Sequence, residues 1–151
     1  MNSDRIPHYR ISTDRTLLDL DAIHNFLTQS YWAAGIPRDV VARAIEHSLC
    51  FGVYREPEAG GGRQQAGFAR VITDYATYGY VADVYILEEH RGRGLGKWLM
   101  RCIMEHPELQ GLRRWSLVTR DAHGLYREFG FRELAKPERH MELHRPDVYE
   151  R

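Results

Sequence analysis

Residues 83–100 restrict the folds open to this chain more than any other stretch. Val84, Tyr85, Ile86 and Leu87 form an apolar run, the turn Arg91-Gly92-Arg93-Gly94-Leu95-Gly96 follows, and then Leu95, Trp98, Leu99, Cys102 and Ile103 recur at helical spacing. The pattern is strand, sharp turn, helix. Alternating glycines permit positive φ and close approach of the backbone to a ligand. The helix start adds unpaired N–H groups and the positive end of a dipole. Arg91, Arg93 and Lys97 add cations at the same place. A phosphate- or pyrophosphate-binding turn is the physical reading.

The flanking sequence supplies further elements. Alternation over residues 8–12 predicts a first strand, and a helical stripe covers 17–32, broken at Gly35-Ile36-Pro37. Pro37 can occupy the first turn of a second helix that buries Val40, Val41, Ala44 and Ile45. Strands are expected at 49–54, 65–74 and 81–87, with a glycine-rich loop over 56–63 and a turn over 75–80. Proline at 107 ends the helix that follows the glycine turn. A strand over 114–119, a short helix over 122–129 closed by Gly130, and closing strands at 131–134 and 141–144 complete the reading. Strands mixed with helices imply an α/β (α+β) layer with helices on both faces of one sheet.

At 151 residues a single domain spanning 1–151 is expected, large enough to bury about 68–70% of the unfolded surface. Lys+Arg and Asp+Glu are both 21, so no overall basic field favours nucleic acid or an anionic membrane. Basic residues gather near the glycine turn and at Arg113-Arg114, which suits one small anionic ligand. No apolar run nears the roughly 20 residues of a membrane span. The N-terminus lacks the apolar core of a secretory signal, so a cytoplasmic location is expected. Cys50 and Cys102 lie far apart in apolar surroundings and read as packed thiols. The histidines lack metal-ligand spacing, and no metal is expected.

Two familiar nucleotide turns fail. A mononucleotide loop needs Gly-x4-Gly-Lys-Ser/Thr, but Gly96-Lys97 is followed by Trp98. A dinucleotide fingerprint needs a third glycine where Lys97 stands and an acidic residue closing the next strand, where Val118-Thr119 stands. Arg91 to Gly96 instead matches the Arg/Gln-x-x-Gly-x-Gly/Ala signature of the GNAT N-acetyltransferases. A second landmark, Ala122-His123-Gly124-Leu125-Tyr126 running on to Gly130-Phe131, resembles that family's Ala-x-x-Leu-Tyr-x-x-x-Gly-Phe helix. The order and spacing of the two motifs agree with the family, and the resemblance covers the chain from Val81 onward.

This resemblance implies a mixed, mostly antiparallel sheet flanked by helices, and binding of acetyl-CoA as cosubstrate. Amides of Arg91, Gly92, Arg93, Gly94, Leu95, Gly96 and Lys97 would hold the pyrophosphate, while Ile86 and Leu87 pair with the pantetheine arm as an added strand. Tyr126 matches the tyrosine that protonates the thiolate leaving group. Many members carry an asparagine seven positions earlier, where this chain has Thr119; its hydroxyl or His123 are the substitutes, and Asp121 is a natural N-cap. Direct acetyl transfer to an amine needs no acyl-enzyme. The base is left open between Asp83, His123 and ordered water. Tyr31, Trp32, Asp74 and Tyr85, with Tyr75, Tyr78 and Tyr80, are acceptor-pocket candidates that suit a small cationic or aromatic amine. A homodimer is possible, as dimers are common in the family. A non-catalytic acyl-CoA-binding module and a protein N-acetyltransferase are the alternatives.

Overall fold

The computed structural model describes residues 5–59 and 61–150. The first four residues of the N-terminal segment and Gly60 of the 56–63 loop lie outside the described residues. In chain order the elements are β1 (Tyr9–Ser12), α1 (Leu20–Thr28), α2 (Arg38–Glu46), β2 (Leu49–Arg55), β3 (Gln64–Thr73), β4 (Tyr78–Ile86), α3 (Leu95–Glu105), β5 (Arg114–Ser116) and α4 (His123–Arg127). The five strands lie in the order β1-β2-β3-β4-β5. The first four are antiparallel, and β5 joins β4 in parallel. This is the mixed sheet with helices that the sequence predicts.

Side-chain alternation in β2 and β3 feeds two cores, one on each face. Phe51, Val53 and Val71 face Leu99 and Ile103 of α3, and Tyr126 of α4 joins the same cluster. Cys50, Phe68 and Tyr85 face Ile23 and Leu27 of α1 and Val41 of α2. Full burial of an aliphatic side chain such as Leu99 contributes about 1.5–3 kcal/mol. Burial pushes the Cys50 thiol up to about 11, in keeping with a packed thiol that is no nucleophile.

Three boundaries differ from the sequence reading, each for a local reason. Helix α1 begins at Leu20, because Asp19 takes the N-cap and accepts the Ala22 N–H at 3.0 Å. It ends at Thr28, whose carbonyl accepts from Gly35 N–H at 2.9 Å, so Tyr31 and Trp32 lie in the α1–α2 loop. Strand β4 begins at Tyr78, earlier than the turn expected over 75–80 allows. Asp74 accepts the N–H groups of Ala76 and Thr77 at 2.9 and 2.7 Å and closes the turn by Thr77.

The expected closing strands at 131–134 and 141–144 do not form. Phe131 is taken up in the closure of α4, with its N–H on Tyr126 O at 3.2 Å, and Pro137 opens a 3-10 turn between the two segments. Met141 and Leu143 are left 98% and 79% exposed. The strand expected over 114–119 also stops at Ser116, which leaves the far edge of β5 unpaired among the described residues.

Candidate active site

The site begins where β4 and β5 part. They pair only at Tyr78–Arg114, Gly79–Trp115 and Tyr80–Ser116, and Tyr78 and Ser116 join hydroxyls across the pair. Beyond Tyr80, the β5-facing edge of β4 has no strand partner among the described residues, although its other edge still pairs with β3. Leu87 N–H donates to Ala66 O on the β3 side at 2.8 Å, so the Ile86 carbonyl of the same peptide points to the open side. There it accepts from Arg91 Nε at 2.8 Å. Ile86 thus lies on the free edge, while the Leu87 N–H is already used by β3.

The glycine turn follows a 3-10 turn at Glu88–His90. Gly92 and Gly94 have φ of 78° and 86°, the left-handed region, and Gly94 is the N-cap of α3. Gly96 does not share that conformation; it lies inside α3, and a Cβ there would meet only Leu125 Cδ2 at 4.0 Å. A glycine N-cap has no side chain to satisfy the first N–H groups of α3, which leaves them to a ligand. Behind the turn, buried His90 holds the Tyr9 hydroxyl at 2.7 Å through Nδ1 and anchors this segment to β1. Burial lowers the His90 pKa, which favours its neutral ring. Arg93 lies 5.9 Å over the Tyr9 ring, and Lys97 pairs with Glu128 at 3.1 Å.

Helix α4 docks on this turn through Leu125 against Gly96 and through Glu128 to Lys97. Its end explains the spacing of the second motif. Phe131 N–H bonds Tyr126 O at 3.2 Å and Gly130 N–H bonds Arg127 O at 3.1 Å, with Gly130 at φ 95°, a Schellman closure. The Phe131 ring then packs edge-on against Tyr126. Tyr126 is buried, and burial raises its pKa, with a smaller contribution from nearby Tyr31. Before α4, Thr119 Oγ1 accepts the Ala122 N–H at 3.1 Å; Ala122 takes the N-cap position expected of Asp121, and no side chain caps the helix. His123 is the exposed first residue of α4.

Opposite α4 stands the α1–α2 loop. Tyr31 and Trp32 remain 55% and 42% exposed, and Arg120 lies 3.9 Å over the Tyr31 ring. Trp32 Nε1 donates to Asp83 Oδ1 at 2.9 Å, and Arg70 Nε donates to Asp83 Oδ2 at 2.8 Å. Tyr31, Trp32, Asp83 and Tyr126 are therefore brought together around the splay.

Two other acceptor-pocket candidates have different surroundings. Tyr85 is buried in the α1-side core, stacked on Phe26 at 3.8 Å. Asp74 spends both oxygens within its own turn, and the Thr77 hydrogen bonds hold its carboxyl well below the usual range. Tyr75 sits in the same turn at φ 64°. Tyr80 keeps closer company with the splay, where burial raises its pKa with help from Tyr78 and Asp83.

Sequence reasoning missed Arg70, Arg120 and His90. Arg70 had a readable signal: in Phe68-x-Arg70-x-Ile72 a cation stands on the apolar phase of a strand, which calls for a buried partner. Arg120 and His90 had none, since each acts through a partner distant in sequence. The geometry offers an anion seat at α3, an open strand edge for an amide-bearing arm, and a buried phenol beside both.

Residues 46–133 match the family model described as the acetyltransferase (GNAT) domain. A candidate acetyltransferase of Gibberella zeae is 40% identical over 135 residues, covering 78% of this chain and 75% of that protein. The crystal structure of a candidate GNAT-family acetyltransferase from Xanthomonas campestris pv. campestris is similar at TM-score 0.87 and 51% identity, covering 97% of this chain and 100% of the other. A candidate acetyltransferase of Clostridium acetobutylicum, solved with acetyl-CoA, shares the fold at TM-score 0.62 and 16% identity, over 90% and 94% of the two chains. The chain belongs to the GNAT family of N-acetyltransferases. Among the described residues no helix is long and apolar enough to cross a membrane, and no group of three or more His, Cys, Asp or Glu side chains is placed to hold a metal ion.

Proposed function

We propose that the protein transfers an acetyl group directly from acetyl-CoA to the primary amine of a small molecule, through one acetyltransferase domain occupying residues 1–151. The observation that carries this reading is the placement of Tyr126. Its helix packs on the glycine turn through Leu125 and Gly96, while its phenol lies near Tyr31 of the opposite loop. The α3 start takes the pyrophosphate, and the free edge of β4 around Ile86 takes the pantetheine amides once Arg91 releases the Ile86 carbonyl. The amine nitrogen attacks the thioester carbonyl, the C–S bond breaks, and the leaving sulfur takes a proton from Tyr126. The proton lost by the amine passes to ordered water or to exposed His123.

The acceptor amine is placed against an aromatic wall rather than an acidic one. The Asp83 charge is balanced by Arg70 and both its oxygens are occupied, while the Asp74 carboxylate, though ionised, is tied into its own turn. Tyr31, Trp32 and Tyr80 remain, and they favour an amine on an apolar or aromatic body. Release of free CoA thiol is expected with arylalkyl amines and not with polyamines of similar size. Turnover only with peptide N-termini or lysine side chains would replace the small-molecule part of the proposal.

A homodimer belongs to the same reading. The outer edge of β5, unpaired among the described residues, and the exposed Met141 and Leu143 are the features that support it. Light scattering should give twice the chain mass, and Met141→Glu with Leu143→Glu should return it to the monomer. A monomeric parent would remove the dimer from the proposal.

A further inference from the structure

Asp83 occupies an unusual place in the sheet. Phe68 opposes Tyr85 and Arg70 opposes Ala82, so Asp83 and Val84 together face the single residue Ala69. This is a β-bulge, and Asp83 holds φ at 55° within it. A non-glycine residue in the left-handed region persists when its surroundings hold it there. Here the surroundings are specific. Each carboxylate oxygen has one donor, Trp32 Nε1 at 2.9 Å and Arg70 Nε at 2.8 Å. Arg70 is itself fixed, since its Nη1 donates to the buried Ser48 hydroxyl at 3.1 Å. The Asp83 and Arg70 side chains are only 10% and 17% exposed. The chain of contacts therefore runs from the α2–β2 junction, through the bulge, to the α1–α2 loop.

The chemistry of the donors limits what Asp83 can do. Indole N–H and guanidinium N–H donate and cannot accept. Both bonds are strongest to the ionised carboxylate, so a proton taken up by Asp83 would weaken its hold on Trp32 and Arg70. We infer that Asp83 is a positioning residue, which seats the Trp32 loop on the β4 bulge and so sets where the acceptor amine lies relative to the open β4 edge. The inference rests on the acetyl-transfer reading for its kinetic consequence, but not for its structural one. Trp32 meets Tyr31 edge-on at 5.1 Å, and Arg120 caps Tyr31 from the β5–α4 side. Releasing Trp32 from Asp83 would loosen that whole rim while leaving the α3 turn untouched.

The test has a structural arm and a kinetic arm. In the first, exchange of the indole N–H groups is followed by NMR, with the Trp32 signal assigned by its loss in Trp32→Phe. The clamp predicts a Trp32 N–H that exchanges at least tenfold more slowly in the parent than in Asp83→Ala, which leaves the indole no acceptor at this position. Equal exchange rates would overturn it whether or not the protein acetylates anything. In the second, kcat/KM for the amine should fall about 10- to 100-fold in Asp83→Asn and in Trp32→Phe. The double variant should be no worse than the poorer single one, and KM for acetyl-CoA should stay within twofold. The acidic limb of the kcat/KM profile should survive in Asp83→Asn. Loss of that limb would make Asp83 the base, and additive losses would separate it from Trp32. Absence of turnover in the parent, with slow Trp32 exchange intact, would sink the acetyl-transfer reading and leave the clamp standing.

Discussion

Replacing Tyr126 by phenylalanine should lower kcat about 100-fold, the usual worth of a positioned proton donor, while acetyl-CoA affinity should stay within about twofold. The substitution removes one hydroxyl from a buried ring and keeps the edge-on packing with Phe131, so α4 and its closure at Gly130 persist. The direction of the pKa shift supports the role. Burial, and then Tyr31, raise the Tyr126 pKa above the ordinary tyrosine value of about 10. An acid must carry its proton to act, and a raised pKa keeps that proton in place through neutral and mildly alkaline solution. In the parent, kcat should decline only as the pH climbs through the raised value, and the phenylalanine variant should lack that alkaline limb. Steady-state kinetics across pH, paired with calorimetric titration of acetyl-CoA, measure both quantities. An undiminished kcat would remove Tyr126 from the chemistry.

Gly94→Val should raise the acetyl-CoA dissociation constant at least about 100-fold. At φ 86° a β-branched residue is strained by about 1–2 kcal/mol. The turn relieves that strain by rotating the first amides of α3 away from the pyrophosphate. Loss of two charge-assisted bonds at about 1.5–3 kcal/mol each accounts for the factor. The helix itself should survive, because Leu99 and Ile103 anchor it in the core. Gly96→Ala is the matched control. Its backbone is not left-handed and its new methyl would meet only Leu125 at 4.0 Å, so affinity should change less than threefold. Equal losses in both variants would show that the glycines serve ligand clearance rather than backbone conformation.

The two motifs were legible because each is a local device. Gly92 and Gly94 announce positive φ, and Gly130-Phe131 announces the closure that fixes Tyr126, and all of this lies within a few residues of sequence. Apolar content likewise marked β2 and β3, while the two cores they feed emerge only in the fold. What stayed hidden depends on partners far apart. Nothing near Asp83 reveals that Trp32 and Arg70 occupy its oxygens, so from sequence alone it reads equally well as a base. The segments 131–134 and 141–144 show the opposite failure. Both read as strands, yet Phe131 is spent on closing α4 and Pro137 opens a 3-10 turn between them, so neither joins the sheet although the outer edge of β5 is unpaired among the described residues. Tyr85 lies in a continuous apolar run, so whether it meets core or pocket is decided by where α1 comes to rest.

The three-rung contact between β4 and β5 makes the sheet a zipper left partly open, with its slider stopped at Tyr80 and Ser116. An ordinary sheet buries its interior hydrogen-bonding groups for good, and only its outermost strands tempt other chains. This one carries a second temptation in its middle. A ligand with amides at the right pitch would close the seam as a missing strand would, and occupancy and folding stability would then rise together by mass action. Without such a ligand, any stray extended peptide is a competitor for the same row of N–H and C=O groups. Cofactor supply would then govern both how fast the enzyme works and how safely it waits.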